Sequence, residues 1–157
     1  RDLYSKVSTL ILGSYSYEGH LNETIDFLKD KGFEDTYLAK ERVKITQDDG
    51  SESSMKEEIY EKVFSLMLES DFNIFYLFPD KNDSTLVELV KMIESKNHGQ
   101  KKDYMLVLIP NDYGYTMVEG LVSRSKINCF RYKNEPQAHQ GVYTFLKRNL
   151  LNYFYDK

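Results

Sequence analysis

FNIFYLFPDKNDSTLVELVKMIE (residues 72–94) and YMLVLIPNDYGYTMVEGLVSRSKINCFRY (residues 104–132) together decide the fold. Residues 73–78, 104–109 and 127–132 are apolar runs of strand length, rich in aromatic and β-branched residues. Between the first two runs, Leu86, Leu89, Val90 and Ile93 recur at helical spacing, and residues 116–122 read as a short helix. Strand, polar loop, helix, strand is the rhythm of parallel strands joined by helical crossovers. All the loops that follow the strands then open at the carboxyl edge of one sheet, where such folds place their ligands.

The same rhythm extends to both sides. VSTLILG (residues 7–13) is a buried-strand pattern ending in glycine, and the helix after it carries Leu21, Ile25 and Leu28 and ends near Gly32. Residues 36–39 form a short second strand. Residues 40–54, with DDGSESS at their centre, read as a long mobile loop. A capping box from Ser54 to Glu57 is expected to open a helix bearing Met55, Ile59, Val63, Leu66 and Met67. Residues 96–103 form a solvated connection. Pro136 suits the first turn of a last helix carrying Val142, Phe145, Leu146, Leu150 and Leu151. Five such units predict an α/β fold, a flavodoxin-like doubly wound sheet of five parallel strands in the order 2-1-3-4-5. Helices cover both faces, and one domain spans residues 1–157.

Composition narrows the function classes. The 157 residues are 41% hydrophobic and 29% charged, ordinary for a globular chain that can bury a core. A net charge of −4 argues against a nucleic-acid backbone as principal partner. No apolar run approaches the roughly 20 residues needed to span a bilayer. The start carries no signal-peptide pattern, and the lone Cys129 fits a reducing compartment, so a cytoplasmic location is expected. The first residue is Arg1 rather than Met, which leaves room for residues upstream. Thirteen tyrosines and nine phenylalanines accompany no tryptophan. Tyr153, Phe154 and Tyr155 suit either an oligomer interface or docking of the last helix on its own sheet.

At the carboxyl edge the predicted topology gathers Ser14, Tyr15, Ser16 and Tyr17, then Lys40 and Glu41, then Asp80, Lys81, Asn82 and Asp83, then Asn111, Asp112 and Tyr113. Hydroxyls, carboxylates, amides and rings together suit a small polar ligand with a flat part, such as a nucleoside. GSYSYEGH (residues 13–20) does not match G-x-G-x-x-G, and no G-x-x-x-x-G-K-[ST] occurs, which excludes a dinucleotide fingerprint and a P-loop. His20, His98 and His139 lie at no metal-ligand spacing from one another or from Cys129, so neither a metal nor a cofactor is expected. Ser14 lacks the setting of a hydrolase nucleophile. Cys129 reads as a packed core thiol, and His139 as lying on the exposed side of the last helix.

Glu88 is the contested residue. Thr85 to Glu88 matches a capping box, a pattern repeated from Thr116 to Glu119. On a helical wheel Glu88 lies about 160° from the centre of the apolar stripe, away from the sheet. A residue near the helix start can nevertheless face the cleft above the strands. Cap and catalytic carboxylate both remain open from spacing alone.

NIFYLFPDKNDSTLVELV followed by YMLVLIPNDYGY resembles the nucleoside 2-deoxyribosyltransferases, in which an acidic loop and an E-L-G helix precede an apolar strand ending in I-P and a D-Y-G turn. The likeness covers roughly 60 residues, and the broader group includes TIR-like domains. It implies a nucleoside, nucleotide or NAD-like ligand whose N-glycosidic bond is cleaved or transferred; the alternative is a non-catalytic nucleotide-binding, signalling or protein-interaction module on the same scaffold. It implies that Glu88 attacks the anomeric carbon, that Asn82, or a neighbouring Asp80 or Asp83, assists at the base, and that Ser14 or Tyr15 holds the substrate. Tyr17, Asp80, Asn111 and Tyr113 complete the expected binding set. The E-L-G glycine is Val90 here and the motif aspartate is Asn82, so bulk at Val90 is expected to narrow the pocket.

Overall fold

A computed structural model of the chain describes residues 3–46, 51–99 and 104–156. The elements run β1 (Ser8–Gly13), α1 (Glu18–Asp30), β2 (Asp35–Leu38), α2 (Glu52–Glu69), β3 (Phe72–Tyr76), α3 (Asp83–Asn97), β4 (Met105–Pro110), α4 (Thr116–Arg124), β5 (Asn128–Tyr132) and α5 (Glu135–Asp156). Short 3-10 turns occupy Tyr4–Lys6, Tyr15–Tyr17 and Ala39–Glu41. The strands pair in parallel in the order β2-β1-β3-β4-β5, as the apolar rhythm requires. Leu12 stands opposite Phe75, and Phe75 opposite Val107, so the three central strands share one register.

Alternate residues of each strand feed two cores. Ile11, Ile74, Tyr76, Leu106 and Leu108 pack against α1 and α5 through Leu21, Ile25, Leu28, Val142 and Phe145. Leu10, Leu12, Phe75, Met105, Val107 and Ile109 pack against Met67 of α2, Leu89, Met92 and Ile93 of α3 and Val122 of α4. Burial on both faces explains why the inner strands read as unbroken apolar runs.

Gly32 ends α1 at φ 107°, where its N–H reaches Lys29 O (3.0 Å) and the Phe33 N–H reaches Leu28 O (3.0 Å). This pair of bonds is the left-handed helix stop that favours glycine. Gly13, at the exit of β1, is required for a different reason. A methyl there would meet Leu21 Cδ2 at 2.7 Å and the Tyr76 carbonyl oxygen at 3.2 Å. The leucine can turn but the carbonyl belongs to the sheet. Gly13→Ala is therefore expected to cost roughly 1–3 kcal/mol, measured as a lowered urea midpoint with unchanged slope. An unchanged midpoint would show that β1 and β3 separate without penalty.

Several local expectations are corrected. The helix after the polar stretch begins at Glu52, three residues before Met55, with Ser51 Oγ accepting from Ser54 N (3.3 Å) in place of a box from Ser54 to Glu57. Thr46, within the described part of residues 40–54, is tied to that helix. Thr46 donates its N–H (2.7 Å) and its hydroxyl (2.6 Å) to Glu58 Oε2, and Lys62 pairs with the same oxygen at 2.7 Å. Residues 47–50, inside the predicted loop, and 100–103, inside the lysine-rich connection, lie outside the described residues. Cys129 is exposed, because β5 is an edge strand whose first four residues remain open to solvent. His139 is half-buried, packed on Phe27 with ring centroids 5.5 Å apart, because α5 and α1 are neighbours. Tyr153 turns inward, bonded to Asp71 and set against Phe72 and Tyr104, whereas Tyr155 is exposed. Among the described residues no helix is long and apolar enough to cross a membrane.

Candidate active site

The loop from β3 to α3 positions everything around it. Phe78 stacks on Tyr76 (4.4 Å) and Tyr17 stacks on Phe78 (4.1 Å), a three-ring column rising from the strand. Tyrosines from neighbouring elements tie down the loop carbonyls: Tyr132 donates to Leu77 O (2.6 Å) and Tyr115 to Phe78 O. Buried Asn82 closes the turn, accepting from Phe78 N (2.9 Å) and donating to Phe78 O (2.6 Å) and Tyr115 Oη (3.0 Å). The turn forces Lys81 to φ 62°, a left-handed conformation that costs a non-glycine residue on the order of 1 kcal/mol.

Helix α3 then starts at Asp83, with Asn82 as its N-cap residue and an acidic side chain in its first turn, favourable at the positive end of the helix dipole. That start lies two residues ahead of Thr85, so Glu88 falls in the second turn and serves no cap. The Thr85 hydroxyl is buried with no hydrogen-bond partner among the described residues. In α4 the matching pattern does act at the helix start, where Glu119 Oε2 accepts from Tyr115 N at 3.0 Å.

Glu88 lines a cleft of about 400 Å³ between the end of β1, the turn after β2, α2 and α3. Ser14, Tyr15, Lys40, Lys81 and Ser84 supply its polar wall, while Val43, Ile45, Ile59 and Val63 supply much of the apolar one. No hydrogen bond or ion pair reaches the Glu88 carboxylate among the described residues. Burial pushes its pKa from 4.5 up to about 7. The Tyr15 phenol is raised as well, first by burial and further by the charge of Glu88, with the Lys40 backbone N–H opposing (3.2 Å to Tyr15 Oη). Lys40 gives its ammonium to Glu18 at 2.6 Å, which leaves Lys81 as the cation on the cleft wall with no ion pair among the described residues. A desolvated carboxylate facing a phenol can attack an electron-poor carbon or accept a proton, and both roles need a carboxylate that water does not stabilise.

The expected site residues divide into two groups. Ser14 and Tyr15 join Glu88 in the cleft. Tyr17 and Asp80 are bonded to each other beside the Phe78 column, and Asn82 is committed to the turn. Asp83 is exposed in the first turn of α3. Asn111 and Tyr113 are exposed after β4, their carbonyls facing Arg131. Val90 lies half exposed on the outer side of α3 and is absent from the cleft wall, so its bulk does not narrow the pocket. Val43 and Ile45 escaped the sequence reading because they sit in a polar stretch. The alternation of apolar and charged residues in RVKIT was the available signal.

The sheet order and the edge on which this cleft opens define a flavodoxin-like α/β protein with the nucleoside 2-deoxyribosyltransferase-like fold. Among solved structures it is similar to the CMP N-glycosidase BcmB of Clostridium botulinum, at 15% identity and a TM-score of 0.59, over 86% of this chain and 98% of that one. It is similar also to a 2-deoxyribosyltransferase of Bacillus psychrosaccharolyticus, at 12% identity and a TM-score of 0.59, over 84% of this chain and 90% of that one. No family model and no curated protein matches the sequence.

Proposed function

We propose that the cleft binds a nucleoside or nucleotide and that Glu88 breaks its N-glycosidic bond. The observation that carries this reading is the Glu88 carboxylate itself, desolvated, unbonded and set opposite Tyr15 in a cleft of ligand size. The named activities of the two similar structures agree with it. In the reaction a Glu88 oxygen forms a bond to the anomeric carbon as the bond from that carbon to the base nitrogen breaks. The electron pair leaves with the base, which takes a proton from water. Water then cleaves the glycosyl ester, or a second base displaces it. Ser14 and Tyr15 hold the sugar, and the apolar wall receives the flat base.

One observation favours a second reading, a binding module without turnover. Asn82 is consumed by the turn and Asp80 is bonded to Tyr17, so neither offers a free acid to the leaving base. The two readings separate when the protein is incubated with deoxynucleosides, nucleoside monophosphates and NAD and free base is followed by chromatography. Because the nucleophile must be ionised, kcat/KM for base release is expected to rise with pH through a limb near 7, the value to which burial lifts Glu88. Thermal stabilisation by a nucleotide with no base released at any pH would establish binding alone.

A further inference from the structure

On the opposite face of the sheet from the Glu88 cleft, the starts of α1 and α5 bring together three metal-ligand side chains. His20 and Glu23 stand one turn apart on α1, and Glu135 is the first residue of α5. His20 Nδ1 is paired with a Glu135 oxygen, and one ligand atom from each of the three residues lies within 4.8 Å of the others. Ligand atoms bonded at about 2.1 Å to one tetrahedral ion stand roughly 3.4 Å apart, so a bound ion would replace the direct contact between His20 and Glu135. One imidazole nitrogen and two carboxylate oxygens are donor atoms of the kinds that Zn²⁺ takes.

Two buried polar atoms that feel the charges of this cluster have no hydrogen-bond partner among the described residues. Tyr76 is wholly buried, its hydroxyl has no hydrogen-bond partner, and Glu23 is the charge that acts on it. His139 Nε2 is buried without a partner, and the charges of Glu23 and His20 both bear on that ring. Buried polar atoms ordinarily find partners, and an ion with its water would offer them here.

We propose that His20, Glu23 and Glu135 form a divalent transition-metal site of the zinc class that pins the start of α5 to α1. An imidazole among the ligands favours Zn²⁺ over Mg²⁺ or Ca²⁺, which prefer oxygen alone. Spacing between histidines gave no sign of the site, because its third ligand comes from the far end of the chain. The site is independent of Glu88 and of the glycosidic reaction. Its work is to hold together two helices that pack on the same core.

The test is calorimetric titration of Zn²⁺ into the full chain after dialysis against a chelator, paired with thermal melts. The wild type is expected to bind one Zn²⁺ per chain and to melt at a higher temperature when loaded. Glu135→Gln and Glu23→Gln, both near-isosteric, are each expected to weaken binding at least tenfold and to remove the thermal gain. His98→Ala, on the exposed end of α3, should change neither. Metal-free melts of each variant report whether it still folds. Absence of Zn²⁺ binding to the wild type, or equal affinity in wild type and Glu135→Gln, would overturn the site.

Discussion

Glu88→Gln is expected to reduce base release by a factor on the order of 10³ or more and, above pH 7, to make the protein more stable. Both effects have one cause. Below pH 4.5 the carboxyl is protonated in the folded and unfolded chains alike and costs nothing. As pH rises from 4.5 to about 7, the unfolded chain ionises this group freely while the buried one resists, and stability is lost across that window. Above it the penalty is constant, on the order of 2–3 kcal/mol once the group's partial exposure is allowed for. A glutamine keeps the shape and removes the charge. At pH 8 the variant should therefore melt roughly 5 °C higher than the wild type, and at pH 4 no higher. Equal base release by variant and wild type would sink the nucleophile. An unchanged melting temperature at pH 8 would show that the carboxylate is solvated.

The second large effect concerns Asn82, which stands where the resembling family has an aspartate. Placing that residue here, Asn82→Asp, is expected to destabilise the protein by roughly 1–3 kcal/mol and not to speed base release. The Asn82 amide nitrogen donates to Phe78 O (2.6 Å) and Tyr115 Oη (3.0 Å). A carboxylate has nothing to donate, so it would set an anion against a carbonyl oxygen in a buried turn. The damage would spread, because the same turn carries Lys81 and Ser84 into the cleft and starts the helix that bears Glu88. Urea unfolding and the base-release assay together check the expectation. Faster base release at unchanged stability would mean that the turn can turn an acid toward the ligand.

The strand order was legible in the sequence because it depends on a coarse signal. Apolar runs such as residues 73–78 and 104–109 are buried on both faces, and helical crossovers between them force parallel pairing. The start of α3 was not legible. Thr85 and Glu88 carry the local pattern of a cap, yet Asn82 turns its side chain back to Phe78, and the helix begins at Asp83. That choice depends on Tyr115, which reaches the same carbonyl from another element. The edge position of β5 exposes Cys129 for a similar reason: strand neighbours, not strand composition, decide which residues see solvent.

What the sequence by itself determined is the scaffold and the edge at which its polar loops meet, since both follow from the periodicity of burial. Only the tertiary structure decided the state of Glu88. Its desolvation comes with a cleft whose wall includes Val43, Ile45, Ile59 and Val63, residues distant from it in sequence. A side chain's charge state depends on what surrounds it in space, and that environment is assembled only when the helices close on the sheet.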